Sequence, residues 1–324
     1  MRAVLCRQFG SYQDLAVEEH ETPEAGPGEV LIEVRAAGLN FPDLLMIAGK
    51  YQVRPRPPFV PGFEAAGIVS RVGSGVSRFA PGDRVMATLM GGGFGEYCVA
   101  EENRVTPMPD SLDFEVGAGF AITYATSFHA FRQRAPIESG QTVLVLGAAG
   151  GVGSTACEIA SAMGARVIAA ASSPEKLEFA RGFGADEGID YSQQSLKDAV
   201  RGLTSGAGAD VVYDPVGGEL ARQALGALAF NGRYLVVGFA SGEIPAFPAN
   251  LLLLREAQVI GVYLGDWAAR QPRDAASNMQ ELADLVAAGR LRPRITAAYP
   301  VEQFQQAFAT LAGRSLRGKI VLTF

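Results

Sequence analysis

The sequence predicts a two-domain protein of the mixed α/β class, in which an antiparallel, barrel-like β domain carries an inserted parallel sheet. Three observations support this prediction. With 324 residues, the chain is longer than one ordinary domain. The first third contains strand-like alternation broken by Pro-Gly and Gly-rich turns. Farther along, short buried strands alternate regularly with helices, which is typical of a parallel sheet covered on both faces.

The first domain is predicted from strand-like segments and two helices. A helix is expected after Asn40, through PDLLMIAG, and a second from Phe114 to Phe131. The predicted strands are EVLIEVRAAG, AAGIVSRVGSGV, DRVMATL and GEYCVAEENRV.

The second domain is predicted from six strands, the number that completes a dinucleotide-binding sheet. Ser173 and Pro174 stand at an N-cap and a first-turn position, and Gly164 and Gly184 follow helix ends. The six strands are expected over residues 142–147, 166–172, 188–191, 209–215, 232–239 and 258–264.

The end of the chain departs from this alternation. Helices are expected across NMQELADLVAAG and YPVEQFQQAFATLAG, and a last strand, KIVLTF, follows them. A strand beyond a finished sheet needs an open edge, and the first domain's sheet is the available one. We therefore predict that residues 1–122 and 265–324 form the first domain and that residues 123–264 form the inserted nucleotide-binding domain.

Composition and charge exclude several classes of protein. The net charge of −6 argues against a nucleic-acid binder. Cys6, Cys98 and Cys157 show no C-x-x-C spacing, so neither a disulfide framework nor a zinc knuckle is indicated. No apolar run reaches the ~18 residues of a membrane span, and Met1 leads directly into a strand-like segment. We expect a full-length cytoplasmic protein with a small-molecule partner.

The stretch TVLVLGAAGGVGSTACEIA, Thr142 to Ala160, runs from an apolar strand through a glycine-rich turn into a helix. The pattern G-x-G-x-x-G falls on Ala148, Gly150 and Gly153, with alanine in the first place. Glycine lets a phosphate approach the backbone, and N–H groups at a helix start complement its charge. We therefore expect a dinucleotide pyrophosphate here. The alternative is a tight turn that serves packing alone.

The residues after the next strand favour NADPH over NADH. An NAD site offers Asp or Glu to the adenosine ribose about twenty residues past the turn. Here Ala171, Ser172 and Ser173 occupy that place, and Lys176 follows. A carboxylate would repel a ribose 2′-phosphate, whereas hydroxyls and an ammonium attract it. The alternative is that Lys176 is a solvated helix lysine.

Seven ordered motifs give the chain a family resemblance. They are AAGLNFPD (36–43), VPGFEAAGIVSRVGSGV (60–76), PGDRV (81–85), ITYAT (122–126), GAAGGVG (147–153), DPVGG (214–218) and GRYLVVGFASG (232–242). In these motifs the sequence resembles the zinc-free NADPH:quinone oxidoreductases of the zeta-crystallin type, within the medium-chain dehydrogenase/reductase superfamily. The resemblance implies a GroES-like N-terminal domain, an inserted six-stranded Rossmann domain, and a cleft between them that holds the cofactor.

By motif position, the resemblance also implies roles for individual residues. Asn40 would lie at the nicotinamide end of NADPH, and Ser172, Lys176 and Tyr191 would form the 2′-phosphate pocket. The other implied cofactor-binding residues are Gly150, Gly151, Val152 and Gly153 at the pyrophosphate, and Thr126, Gly238 and Phe239 along the rest of the cofactor.

The same resemblance argues against a metal. Zinc alcohol dehydrogenases of the superfamily carry a ligand cysteine where this chain has Asn40, and a ligand histidine where it has Phe63. A catalytic zinc needs about three protein donors, and the chain has two histidines, His20 and His129. Glu64 next to the lost ligand has two interpretations, a structural carboxylate and a catalytic base.

Without a metal, hydride transfer to an electron-poor acceptor is easier than alcohol oxidation, because the acceptor takes the negative charge onto oxygen. We therefore predict an NADPH:quinone reductase, with hydride delivery and one-electron delivery to the quinone both open. Asn40 would position the nicotinamide or donate to the developing oxyanion, and Tyr51 would line the acceptor site. The alternatives are that Asn40 only caps its helix and that Tyr51 only covers core. Leu45 stands where other members commonly carry a further tyrosine.

Two other functions are possible for this fold, and the sequence also predicts an oligomer. Reduction of an α,β-unsaturated carbonyl, including acryloyl-type thioesters, would use the same cofactor residues, and an NADPH-binding protein without turnover has the same fold. A homodimer is expected, because NLLLLREAQVIGVYL (250–264) ends on the sixth strand, whose edge can pair with its own copy. The alternative is that Leu251 to Leu254 bury into their own domain.

Overall fold

The computed structural model describes residues 1–313 and 316–324, and the chain divides into two compact units. The first unit comprises Met1–Ile122 and Ala268–Phe324, and the second comprises Thr123–Trp267. The chain therefore leaves the first unit and later returns to it.

The strands and helices of the described residues are numbered in chain order. The strands are β1 (Arg2–Leu5), β2 (Ala16–Glu19), β3 (Glu29–Gly38), β4 (Glu64–Val72), β5 (Arg84–Thr88), β6 (Tyr97–Glu101), β7 (Val105–Pro107), β8 (Thr142–Leu146), β9 (Arg166–Ala171), β10 (Glu187–Asp190), β11 (Ala209–Asp214), β12 (Leu228–Val236), β13 (Gln258–Gly261), β14 (Ile295–Pro300) and β15 (Lys319–Thr323). The helices are α1 (Phe41–Ile47), α2 (Phe114–His129), α3 (Gly151–Ala162), α4 (Pro174–Arg181), α5 (Leu196–Leu203), α6 (Gly218–Gly226), α7 (Ala249–Arg255), α8 (Leu264–Arg270), α9 (Pro272–Ala287) and α10 (Phe304–Ala312).

A largely antiparallel sheet forms the first unit, as the alternating segments predict. Its strands follow the order β14-β15-β3-β4-β5-β7, and β6 also pairs with β3. Strand β3 has neighbours on both edges and is buried along most of its length, so its apolar side chains lie in the core of the unit.

The last strand, β15, brings the end of the chain back to this sheet. Val321 pairs antiparallel with Gly38, and Leu322 pairs with Ala37. The predicted use of an open edge is confirmed. Strand β14, which the sequence analysis did not predict, pairs parallel with β15. Its alternating exposure is a strand signal, but the sequence analysis assigned its last residues, Tyr299 and Pro300, to the following helix.

The second unit is a parallel sheet with the order β10-β9-β8-β11-β12-β13. This order confirms the predicted six-stranded dinucleotide-binding sheet. All six strands are parallel, but β9 and β10 follow on one side of β8, whereas β11, β12 and β13 follow on its other side. The strand order therefore reverses between β8 and β11. The carboxyl ends of parallel strands on either side of such a reversal are where ligands bind in this architecture.

The sixth strand is shorter than predicted. It ends at Gly261, because its partner β12 ends at Val236 and the two residues form the last pair of the ladder. The expected strand continued to residue 264, but helix α8 begins at Leu264 instead. Within residues 1–313 and 316–324, no helix combines the length and the hydropathy that crossing a bilayer requires.

Candidate functional site

The glycine-rich turn joins β8 to α3 in the second unit. Gly147 has a φ of 58°, and Gly150 is the N-cap of α3. A Cβ on Gly153 would overlap the backbone carbonyl of Gly147, so this position is closed to any side chain. The first N–H groups of a helix have no partner within the helix, and a negative group is favoured there. The turn therefore has the geometry of an anion site.

A buried set of hydroxyls, which the sequence analysis missed, holds α2 against the start of α3. Ser127 Oγ lies 2.9 Å from Thr155 Oγ1, 3.0 Å from the Tyr213 hydroxyl and 3.1 Å from the Val152 carbonyl oxygen. Thr126 lies next to Ser127 on α2, so this network fixes Thr126 relative to the glycine turn. Burial raises the pKa of Tyr213, which keeps its hydroxyl neutral.

The residues predicted to bind the 2′-phosphate lie together at the carboxyl ends of β9 and β10. Lys176 Nζ donates to Ser172 Oγ at 3.0 Å, and Ser173 is the N-cap of α4. The Tyr191 N–H donates to the Ala171 carbonyl at 3.1 Å. One acidic residue is near, because Asp190 pairs with Ala171 across the strands.

The Asp190 carboxylate is engaged in the loop that follows β10. Its Oδ1 accepts the Ser192 backbone N–H at 2.9 Å and the Ser192 hydroxyl at 2.6 Å. The prediction of NADPH rested on the end of β9 alone, and Asp190 lies at the end of the neighbouring strand.

Gly238 and Phe239 follow β12 and pack on the DPVGG loop that follows β11. Asp214 organises this loop, because its Oδ1 accepts the N–H groups of Val216 at 2.7 Å and Gly217 at 2.9 Å, while its Oδ2 accepts the Tyr234 hydroxyl at 2.6 Å. The Gly238 N–H donates to the Asp214 carbonyl at 3.3 Å. DPVGG is one of the seven family motifs, but no role was predicted from the sequence for Asp214 or Tyr234.

Asn40 belongs to a buried polar cluster in the first unit, formed with Glu64 and Lys319. The exposed fractions of these three residues are 7%, 0% and 6%. Glu64 Oε1 lies 2.6 Å from Lys319 Nζ and 2.8 Å from Asn40 Nδ2. Lys319 Nζ also donates to Asn40 Oδ1 at 2.6 Å. Sequence reasoning singled out Asn40 and Glu64 but missed Lys319, which lies 279 residues from Asn40 along the chain.

Asp43 lies beside this cluster, in the first turn of α1. Its Oδ2 accepts the Asn40 backbone N–H at 2.7 Å. Burial raises the pKa of Asp43 to about 8, and the Glu64 charge adds to this shift. The backbone N–H groups of Asn40 and Gly62 and the Lys319 charge oppose it. The carboxyl group is therefore mostly protonated at neutral pH.

We expect an Asp43→Asn variant to change the pH dependence of stability. In the unfolded chain an aspartate titrates near pH ~4. Because the folded-state value is higher, this group's contribution to stability is complete below pH ~4 and is lost as the pH rises to about 8. Thermal unfolding at about pH 5 and about pH 9 should show the variant gaining several degrees on the wild type at the higher pH. The exposed Asp110→Asn variant is the control, and parallel curves for all three proteins would contradict the prediction.

Tyr51, the other predicted catalytic residue, follows α1 and is half-buried. Its ring packs edge-on against Phe63, with 5.3 Å between the ring centroids, and Phe63 immediately precedes Glu64. Tyr51 therefore contacts the residue that adjoins Glu64 of the buried cluster.

The described part of the chain contains no group of three or more His, Cys, Asp or Glu residues arranged to hold a metal ion. His129 is buried and its ring stacks on Trp267 at 4.1 Å, while its Nδ1 lies 3.1 Å from Gln133 Oε1. Burial lowers the pKa of His129. These contacts agree with a packed core histidine.

Comparison with known proteins identifies two family domains in the chain. A family model described as a zinc-binding dehydrogenase matches residues 151–287, and one described as an alcohol dehydrogenase GroES-like domain matches residues 26–110. A quinone oxidoreductase-like protein 2 homolog from Nematostella vectensis is 38% identical, over 99% of this chain and 88% of that protein. A quinone oxidoreductase from Pseudomonas aeruginosa is 36% identical, over 97% of each chain.

The chain belongs to the quinone oxidoreductase family of medium-chain dehydrogenases/reductases. Among solved structures, the Escherichia coli quinone oxidoreductase complexed with NADPH matches with a TM-score of 0.94 and 27% identity, over 100% of both chains. The family resemblance and the fold class predicted from the sequence are confirmed. Membership of this family identifies the protein as an oxidoreductase.

Proposed function

We propose that this oxidoreductase uses NADPH to reduce quinones and that it requires no zinc. The contact between Lys176 and Ser172 at the end of β9 carries the cofactor part of the proposal, because it places an ammonium and a hydroxyl where an NADH-specific site has a carboxylate. The NADPH complex of the Escherichia coli relative supports the same choice.

The second unit fits the remaining parts of NADPH. The N–H groups at Gly151, Val152 and Gly153 would bind the pyrophosphate, and Gly150 would leave room for it, since no side chain stands there. Tyr191 would complete the 2′-phosphate pocket. Thr126, Gly238 and Phe239 would contact the rest of the cofactor.

When bound, NADPH supplies a hydride equivalent to an electron-poor acceptor, so the residues of the chain have only to bind, orient and exclude water. Asn40 would meet the nicotinamide end or the oxygen of the acceptor, and Tyr51 would line the acceptor site. No side chain is proposed as an obligatory acid or base. The ion pair of Glu64 with Lys319 favours the structural interpretation of this carboxylate over the catalytic one.

Two observations support zinc independence. Asn40 and Phe63 stand where the resemblance places zinc ligands. In addition, the Lys319 ammonium lies 2.6 Å from Asn40 Oδ1. The positive charge of Lys319 would repel a zinc ion bound next to Asn40.

An acceptor screen tests the proposed activity. NADPH oxidation is measured with 1,4-benzoquinone, with an enone and with acryloyl-CoA, and NADH is tested in parallel. We expect the quinone to be reduced with NADPH. Consumption of the enone or the thioester alone would favour the unsaturated-carbonyl function, and tight NADPH binding without any turnover would favour a non-catalytic role.

The cytoplasmic location stays a prediction. We further propose that the protein forms a homodimer through its second unit. Strand β13 is the outer strand of the six-stranded sheet, and Leu253 and Leu254 on the preceding helix are 79% and 72% exposed. Leu251 and Leu252, in contrast, pack against the core of their own unit. Two copies that pair their β13 edges would cover the exposed leucines.

Size-exclusion chromatography with light scattering should therefore give a dimer mass over a wide range of concentrations. A variant with Leu253→Glu and Leu254→Glu should dissociate at lower concentration than the wild type. A wild type that runs as a monomer throughout would contradict the assembly.

A further inference from the structure

We propose that Lys319 and Glu64 are positioning residues that fix the orientation of the Asn40 carboxamide, so that the last strand of the chain completes the reaction site. The functional part of this inference rests on the proposed role of Asn40 in NADPH-dependent reduction. The geometric part stands on the contacts of the cluster alone.

The hydrogen bonds of the cluster determine which way the carboxamide faces. Lys319 Nζ can only donate, and its three protons match three acceptors, the Leu39 carbonyl at 2.7 Å, Asn40 Oδ1 at 2.6 Å and Glu64 Oε1 at 2.6 Å. Asn40 Nδ2 donates to Glu64 Oε1 at 2.8 Å. Rotating the carboxamide by half a turn would place its NH₂ group against the ammonium and its oxygen against the carboxylate. Both new contacts would be repulsive, so only one orientation is allowed.

The carboxylate is held as firmly as the ammonium. Glu64 Oε2 accepts the backbone N–H of Ile122 at 2.8 Å, in addition to the two donors on Oε1. The cluster therefore joins the end of β3, the start of β4, helix α2 and strand β15. Because both polar atoms of the Asn40 carboxamide are hydrogen-bonded within the cluster, the carboxamide keeps one orientation.

The surrounding backbone leaves space for this ion pair. A Cβ on Gly38 would overlap Glu64 Oε1, and a Cβ on Gly119 would lie 2.8 Å from Lys319 Cγ. Small residues on β3 and on α2 thus accommodate the two charged side chains. A buried ion pair adds little net stability compared with apolar residues of the same volume. Stability alone therefore does not explain why Glu64 and Lys319 are buried here.

The orientation leaves one carboxamide hydrogen weakly engaged. The second proton of Asn40 Nδ2 faces the Gly38 carbonyl at 3.4 Å, which is long for a hydrogen bond. Because Lys319 donates to Oδ1, the amide group is polarised and its N–H becomes a better donor. We infer that Asn40 presents this N–H to a carbonyl-type oxygen of the cofactor or of the acceptor.

The first test measures hydrogen exchange of the Asn40 side-chain amide by NMR in isotope-labelled protein, with the signal identified by its absence from the N40A variant. In the K319M variant this amide should exchange at least about tenfold faster than in the wild type. The variant that carries both Glu64→Gln and Lys319→Met leaves no unpaired buried charge and should fold even if K319M does not. The exposed Lys197→Met variant is the control. Unchanged exchange in both cluster variants would overturn the inference, whatever the protein catalyses.

The second test is a double-mutant cycle on quinone reduction and on NADPH affinity. K319M should lower kcat/KM by about tenfold or more in the wild-type background and by less than about threefold in the N40A background, because Lys319 acts through Asn40. Equal losses in the two backgrounds, with matched Tm values, would overturn the coupling. If exchange responds as expected but N40A changes neither NADPH affinity nor turnover, the proposed role of Asn40 fails while the orientation of its carboxamide stands.

Discussion

A Gly150→Ala variant is expected to keep its fold and to lose about tenfold or more in NADPH affinity. The backbone of Gly150, with φ −77° and ψ 173°, suits any residue, and an added Cβ would meet only the Gly147 carbonyl oxygen, at 3.3 Å. The fold therefore tolerates the methyl group. The proposed pyrophosphate site does not, because the phosphates must approach the backbone at this turn. Fluorescence titration with NADPH and thermal unfolding measure the two effects separately.

Two other glycines provide matched controls for this experiment. Gly153→Ala should destabilise the second unit itself, because its Cβ would overlap the backbone of Gly147. Apart from its own helix, no atom of residues 1–313 and 316–324 lies within 4 Å of a Cβ added to Gly202 on α5. Gly202→Ala should therefore leave NADPH affinity unchanged and raise stability slightly. If Gly150→Ala binds NADPH as tightly as the wild type, the pyrophosphate does not lie at this turn.

A Lys176→Met variant is expected to lose its preference for NADPH. The ammonium of Lys176 lies 3.0 Å from Ser172 Oγ at the end of β9, and a hydrogen bond from it to the 2′-phosphate would be charge-assisted. Its removal should raise the KM for NADPH by about tenfold to a hundredfold and change the KM for NADH by less than about twofold. Steady-state kinetics with both cofactors and one acceptor give this comparison directly.

Arg181→Met is the control for charge on the same helix. Arg181 donates to Glu178 at 2.8 Å, near the end of α4, so its loss removes one positive charge without touching the proposed pocket. Unchanged KM values for both NADPH and NADH in Lys176→Met would show that this lysine is a solvated helix residue, the alternative that its sequence alone leaves open.

The fold was predictable because its signals are local. Each strand of the nucleotide-binding sheet is a short apolar run bounded by turns or caps, and the parallel direction of the strands follows from their regular alternation with helices. Boundaries that depend on a partner were less predictable. β13 ends where β12 ends, and nothing within its own sequence marks that point.

The site was only partly predictable, for a related reason. Glycine spacing identified the turn at Gly150, because the turn lies within a few residues of sequence. Lys319 was not identified, because the chain must leave the first unit and return before this lysine meets Asn40. Ser127, Thr155 and Tyr213 were missed because single hydroxyls in apolar segments carry no spacing signal.

The most direct test of the central claim is quinone reduction by protein that has been dialysed exhaustively against a chelator. Initial rates with 1,4-benzoquinone are compared for NADPH and NADH, before and after chelation and after zinc is added back. We predict that chelation leaves the rate unchanged and that kcat/KM is at least about tenfold higher with NADPH. Activity that disappears with chelation and returns with zinc, or equal efficiency with the two cofactors, would contradict the proposed metal-free use of NADPH.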